Sequence, residues 1–120
     1  MTDQNLRPAF KDARLLLLDR RTSVRFPCNL SAICQRGGGK TGIGLPATVR
    51  DVSQEGMGLV ISRPFSRDRV LTVKLQAAEG SIRRTAQVVV KYVRQEPGGW
   101  FHGCVFLTRL SEGELQALLQ

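Results

Sequence analysis

Arg20, Arg21 and Arg25 stand where a leucine-rich N-terminal stretch gives way to an alternating apolar pattern. Further along, Asp51, Ser53 and Gly56 punctuate a polar segment between two apolar runs. A guanidinium is planar and always charged, so it grips phosphate with two parallel hydrogen bonds and stacks on flat rings. It also matches the O6/N7 edge of guanine. A carboxylate such as Asp51 accepts from guanine N1–H and its exocyclic amine, Ser53 is a compact donor and acceptor, and Gly56 offers backbone freedom. If the chain brings the two groups together, they make a pocket for a planar, anionic ligand. Each half also has a plain reading, as a solvated basic edge and as ordinary Asp/Ser turn chemistry.

Positioning these groups requires rigid elements on both sides. Phe26, Cys28, Leu30, Ala32 and Cys34 share one parity against Pro27, Asn29, Ser31 and Gln35, which predicts a half-buried strand. Arg36 to Gly44 contains five glycines and reads as a hairpin loop. Ala47 to Val52 resumes a strand, Ser53 to Gly56 is a turn, and Met57 to Ile61 is a compact apolar strand. Leu71, Val73 and Leu75 alternate with polar residues in a fourth. Ile82 to Val93 forms a long fifth, with Ile82, Ala86, Val88, Val90 and Tyr92 on one parity. Pro97-Gly98-Gly99 reverses the chain into a last strand, Trp100 to Leu107. Ser111 and Glu114 match a capping box, and Leu115, Leu118 and Leu119 follow at helical spacing. The expectation is an all-β, six-stranded antiparallel barrel, closed so that no edges are exposed, with a C-terminal helix that plugs or flanks it. Pro8 to Leu18 is compatible with a short helix or an extended arm. That divides the chain into an N-terminal arm, 1–18, and a barrel domain, 19–120.

With 120 residues there is room for one modest core. The net charge of +8 favours anionic partners in general. The longest apolar run, Leu15 to Leu18, is far short of the roughly twenty residues that cross a bilayer. With no signal-like order in the first residues either, a cytoplasmic location is expected. Cys28, Cys34 and Cys104 lack metal-ligand spacing and sit among apolar neighbours, so they read as small core residues, with no metal site. His102, the single histidine, has no nucleophile near it in sequence apart from Cys104 on the same strand, so it reads as structural. Gly39-Lys40-Thr41 imitates a phosphate loop. The motif needs a glycine where Cys34 stands, and a helix where Gly42, Gly44 and Pro46 follow.

Taken together, Arg21-Thr22-Ser23-Val24-Arg25 and Asp51-Val52-Ser53-Gln54-Glu55-Gly56 resemble the PilZ domain family, whose signature is R-x-x-x-R followed by [D/N]-x-S-x-x-G. Gly58-Leu59, the long strand ending near Tyr92, and His102-Gly103-Cys104-Val105-Phe106 before the helix extend the likeness over Asp19 to Gln120. The resemblance implies a six-stranded barrel that acts as a receptor for the bacterial second messenger cyclic diguanylate (c-di-GMP). Arg21 and Arg25 would then bind its phosphates and guanine faces, with Arg20 as a helper. Asp51 and Ser53 would hold a guanine edge, and Gly56 would keep the turn open. An extra arginine before the motif tends in this family to accompany two stacked ligand molecules.

The implied role is a receptor or adaptor, not an enzyme: ligand binding orders the arginine segment, and a protein effector reads the change. One alternative is a PilZ-like interaction adaptor without ligand. The other is a basic barrel that binds single-stranded nucleic acid, against which stands the count of seven aromatics, mostly at core-like parity.

Overall fold

A computed structural model describes residues 24–37 and 43–120. Arg20, Arg21 and the N-terminal arm lie outside the described residues. Six strands form in the expected order. They are β1 (Phe26–Arg36), β2 (Leu45–Val52), β3 (Gly56–Ile61), β4 (Val70–Gln76), β5 (Ile82–Glu96) and β6 (Gly99–Phe106). Every pairing is antiparallel, and the order β1-β2-β3-β6-β5-β4 returns to β1, closing a barrel. Alternation drives it. Cys34, Val49, Leu59, Leu71, Val73, Val88 and Val90 point inward and are wholly buried, which removes their apolar surface from water at about 25 cal/mol per Å².

One end of the barrel is capped by the helix α1 (Glu112–Leu119). Ser111 and Glu114 close the capping box, and Leu110, Leu115 and Leu118 join the core cluster. The same end carries the β2–β3 turn, since Leu110 N–H donates to the Gln54 carbonyl at 2.9 Å and Phe106 N–H to Glu55 at 2.8 Å. Arg84 on β5 reaches Glu114 at 2.6 Å. The other end is closed by the β3–β4 connection, which drops Phe65 over the interior.

His102 is that connection's anchor. It is wholly buried, its Nε2 accepts from Phe65 N–H at 3.0 Å, and its Nδ1 faces the Trp100 carbonyl at 3.1 Å. Burial lowers its pKa, against hydrogen bonds that favour the charged form. Neutral His102 with the proton on Nδ1 therefore satisfies both contacts.

Regular alternation fails at two places that matter. With Ala47 and Val49 inward, an unbroken β2 would turn Asp51 into the core. A bulge between Val49 and Asp51 shifts the register, so Val52 is buried and Asp51 faces out. A second bulge lies between Val90 and Tyr92. It turns Tyr92 outward to 50% exposure and packs Val93 against the core. Tyr92 thus leaves the inward parity expected for it. An extra residue in one strand of a pair re-aims every side chain after it.

Candidate functional site

The two bulges put Asp51 and Tyr92 on one outer face. The pairing runs from Asp51 to Gly58, from Gly58 to Gly103 and from Gly103 to Tyr92, so a single row crosses β2, β3, β6 and β5. The two middle positions are glycines for a steric reason. A β-carbon on Gly58 would stand 2.6 Å from the Phe101 ring and 2.8 Å from Asp51 Oδ2, and one on Gly103 would collide with the Tyr92 ring. The rings occupy that space themselves. Phe101 points outward yet is only 6% exposed. Tyr92 packs beside it at 6.0 Å between centroids, and Arg94 covers it at 4.3 Å from the ring centre. Arg50 approaches the same ring at 5.7 Å. Glu96 pairs with both Arg50 and Arg94 and holds them there.

Arg25 comes to this face from the start of β1. Its Nη1 donates to Asp51 Oδ1 at 2.5 Å, although its side chain is 51% exposed. An exposed pair of this kind contributes little to stability, about 0–1 kcal/mol. Its value is positional: a guanidinium and a carboxylate are held beside a covered aromatic ring.

Ser53 and Gly56 build the turn that carries Asp51. Ser53 is buried, and its Oγ accepts from the Glu55 and Gly56 amides at 3.1 and 3.2 Å. Its own N–H donates to the Gly56 carbonyl at 2.9 Å. Gly56 has no left-handed backbone. A β-carbon there would run into the Cys104 carbonyl on β6, so the residue must be glycine because β3 and β6 approach so closely. Close approach, rather than backbone freedom, explains the glycine of the motif.

The thiols are unsuited to nucleophilic work. Burial pushes Cys34 and Cys104 up to about 12, so both stay protonated near neutrality. Cys28 is raised too, first by burial and then by the charge of Asp51. Among the described residues no group of His, Cys, Asp and Glu side chains could hold a metal ion.

Of the six motif residues singled out in the sequence, the structure gathers Arg25, Asp51, Ser53 and Gly56 around one turn and strand edge. Arg20 and Arg21 lie outside the described residues. Gly58, Tyr92, Phe101, Gly103, Arg50 and Arg94 complete the face; Gly58, Tyr92 and Gly103 enter the sequence reading only as part of the wider likeness, and none of the six is a site residue there. The available signal was glycine inside a strand, which marks a place where something packs closely.

Comparison with protein-family models matches the PilZ domain over residues 19–120. The chain belongs to the PilZ domain family. Three solved PilZ-like structures share its fold. The Bacillus subtilis inhibitor of motility (MotI/DgrA) is 20% identical with a TM-score of 0.61, over 86% of this chain and 49% of that one. The PilZ domain of YcgR from Escherichia coli, solved with c-di-GMP, is 13% identical at 0.61, over 83% and 88%. The K. pneumonia MrkH–c-di-GMP complex is 25% identical at 0.54, over 85% and 50%. The chain therefore spans about half the length of the MotI and MrkH chains. No curated protein matches it significantly in sequence. No helix among the described residues of this PilZ protein is long and apolar enough to cross a membrane.

Proposed function

We propose that this PilZ domain is a cyclic diguanylate receptor. The observation that carries the reading is the outward pairing of Arg25 with Asp51 beside the Phe101–Tyr92 face. Two of the structural relatives were solved with this ligand. Guanine N1–H and its exocyclic amine fit the acceptor oxygens of Asp51, and Arg25, displaced from the carboxylate, turns to phosphate or to the guanine edge. Ser53 and Gly56 serve the guanine contact by fixing the turn from which Asp51 projects.

Arg21 joins Arg25 on the ligand, and Arg20 adds a third guanidinium that can serve a second, stacked molecule. The phosphates neutralise this cluster and draw Asp19 to Arg25 onto the barrel, and Leu15 to Leu18 follow. A protein effector reads the altered surface. The ligand drives the change only through its differential affinity for the two arrangements. Charge-assisted hydrogen bonds contribute about 1.5–3 kcal/mol each, so a few of them support micromolar affinity, which corresponds to about 8 kcal/mol. Nothing in this scheme breaks a bond, and the domain acts as a receptor, not an enzyme.

Isothermal titration tests it. Wild-type protein is expected to bind cyclic diguanylate, and Arg21→Ala, Arg25→Ala and Asp51→Ala are each expected to lose at least tenfold. Absence of heat with wild type, or unchanged affinity in the variants, overturns the reading.

A further inference from the structure

The barrel end away from α1 holds a second basic feature. A cleft of about 730 Å³ opens between the β3–β4 connection, β5 and the start of β6. Arg36, Arg63, Arg67, Arg69 and Lys91 line it. Lys91 pairs with Asp68 at 3.6 Å, and among the described residues none of the four arginines has an acidic partner. Five cations therefore converge against a single carboxylate that is already paired. Trp100 and Tyr92 line the same cleft.

The arginine loop is built rather than loose. Phe65 N–H is held by His102, Asp68 N–H donates to the Val90 carbonyl at 2.7 Å, and Val90 N–H returns to Arg69 at 3.0 Å. Asp68 keeps a left-handed backbone, φ 69°, the one non-glycine among the described residues to do so. That conformation is costly outside glycine, and its neighbours Arg67 and Arg69 both line the cleft. A preorganised loop loses less entropy when an anion arrives.

We propose that this cleft is a separate anion site that takes a mononucleotide bearing two or three phosphates. Charge sets the phosphate count, because four guanidiniums and an ammonium outnumber what one phosphate can engage. Size sets the limit of one nucleotide, since small-molecule sites occupy about 300–1,000 Å³. The Trp100 and Tyr92 faces provide the base platform, a use of aromatics that tolerates any base. The site does not depend on the cyclic diguanylate reading. Arg36 and Arg25 lie at opposite ends of β1, on the order of 30 Å apart by strand rise. Tyr92 is the one residue named in both regions.

Trp100 is the single tryptophan of the chain and lines the cleft, so its fluorescence reports on this site. GTP, ATP and inorganic tripolyphosphate are expected to change the emission saturably, with the nucleotides binding more tightly than tripolyphosphate and guanosine failing to bind. R67E/R69E, at exposed positions, is expected to lose at least tenfold in nucleotide affinity. Arg36→Gln is expected to lose severalfold and serves as the second variant should the double one fold poorly. Asp51→Ala is expected to bind nucleotide as wild type does. The proposal is overturned if millimolar nucleotide and tripolyphosphate leave emission and heat unchanged, or if the arginine variants bind normally. It also falls if cyclic diguanylate displaces GTP stoichiometrically, or if a single-stranded oligonucleotide or an acidic peptide binds more tightly than any nucleotide.

Discussion

Gly56 and Gly58 are two residues apart on β3, and a methyl group fails at each for a different reason. At Gly56 the obstacle is the Cys104 backbone, with the carbonyl carbon at 3.0 Å and its oxygen nearer. Neither strand can yield without breaking the β3–β6 ladder. At Gly58 the obstacles are the Phe101 ring and a carboxylate oxygen, both ends of side chains that can swing away. Gly56→Ala is therefore expected to destabilise at the upper end of the overpacking range, about 3 kcal/mol. Gly58→Ala is expected to cost about 1 kcal/mol while displacing Phe101 or Asp51 from the outer face. Thermal unfolding with ligand titration separates them: Gly56→Ala melts far lower, and Gly58→Ala stays folded with at least tenfold weaker cyclic diguanylate binding. Equal melting shifts, or a Gly58→Ala protein that binds normally, would contradict this division.

At the level of elements, strand identity was legible because period-two alternation and turn residues agree over most of the chain. The capped helix was legible because Ser111 and Glu114 stand at the required spacing before a leucine stripe. Four residues of the candidate site, Arg25, Asp51, Ser53 and Gly56, were legible from residue type and spacing. The face they share with Tyr92 was hidden by the bulges. No local pattern announces that Val90 and Tyr92 face opposite ways, so Tyr92 looked like core and Phe101 went unremarked. The β3–β4 connection hid its anchor as well, because His102 is thirty-seven residues from Phe65. That anchor carries a pH dependence. Burial holds His102 below its ordinary value, so the unfolded chain binds the proton more readily than the folded one. Stability is full above about pH 6.5, the unperturbed histidine value, and falls as pH drops from there toward the lower folded value. Protonation of Nε2 also removes the acceptor for Phe65 N–H. Melting curves from pH 8 to pH 5 are expected to show this loss, and His102→Gln is expected to abolish the slope in that window at some cost in stability. A slope that survives the substitution would assign it to other groups.

Across the whole molecule, the closed barrel separates what is rigid from what a ligand can move. Every strand is paired on both sides, and the helix and the β3–β4 connection close the two ends. A sheet without free edges has few low-energy distortions, so binding energy cannot readily be stored in it. On the proposed reading, the response falls to residues 19–25, the stretch of sequence that holds Arg20, Arg21 and Arg25. Each phosphate contact proposed there would favour one arrangement of Asp19 to Arg25, while the β2–β3 turn, already satisfied by Ser53, gives a fixed reference. Hydrogen exchange measured with and without cyclic diguanylate is expected to gain protection in peptides covering residues 19–25 and near Asp51, and to leave the centres of β4 and β5 unchanged. Arg25→Ala is expected to remove the gain at both places, because it takes away the guanidinium through which the bound ligand joins the segment to the Asp51 side of the face. Protection spread evenly through the barrel strands would instead mean that the ligand acts by tightening the barrel, and the arm would then have no part in the signal.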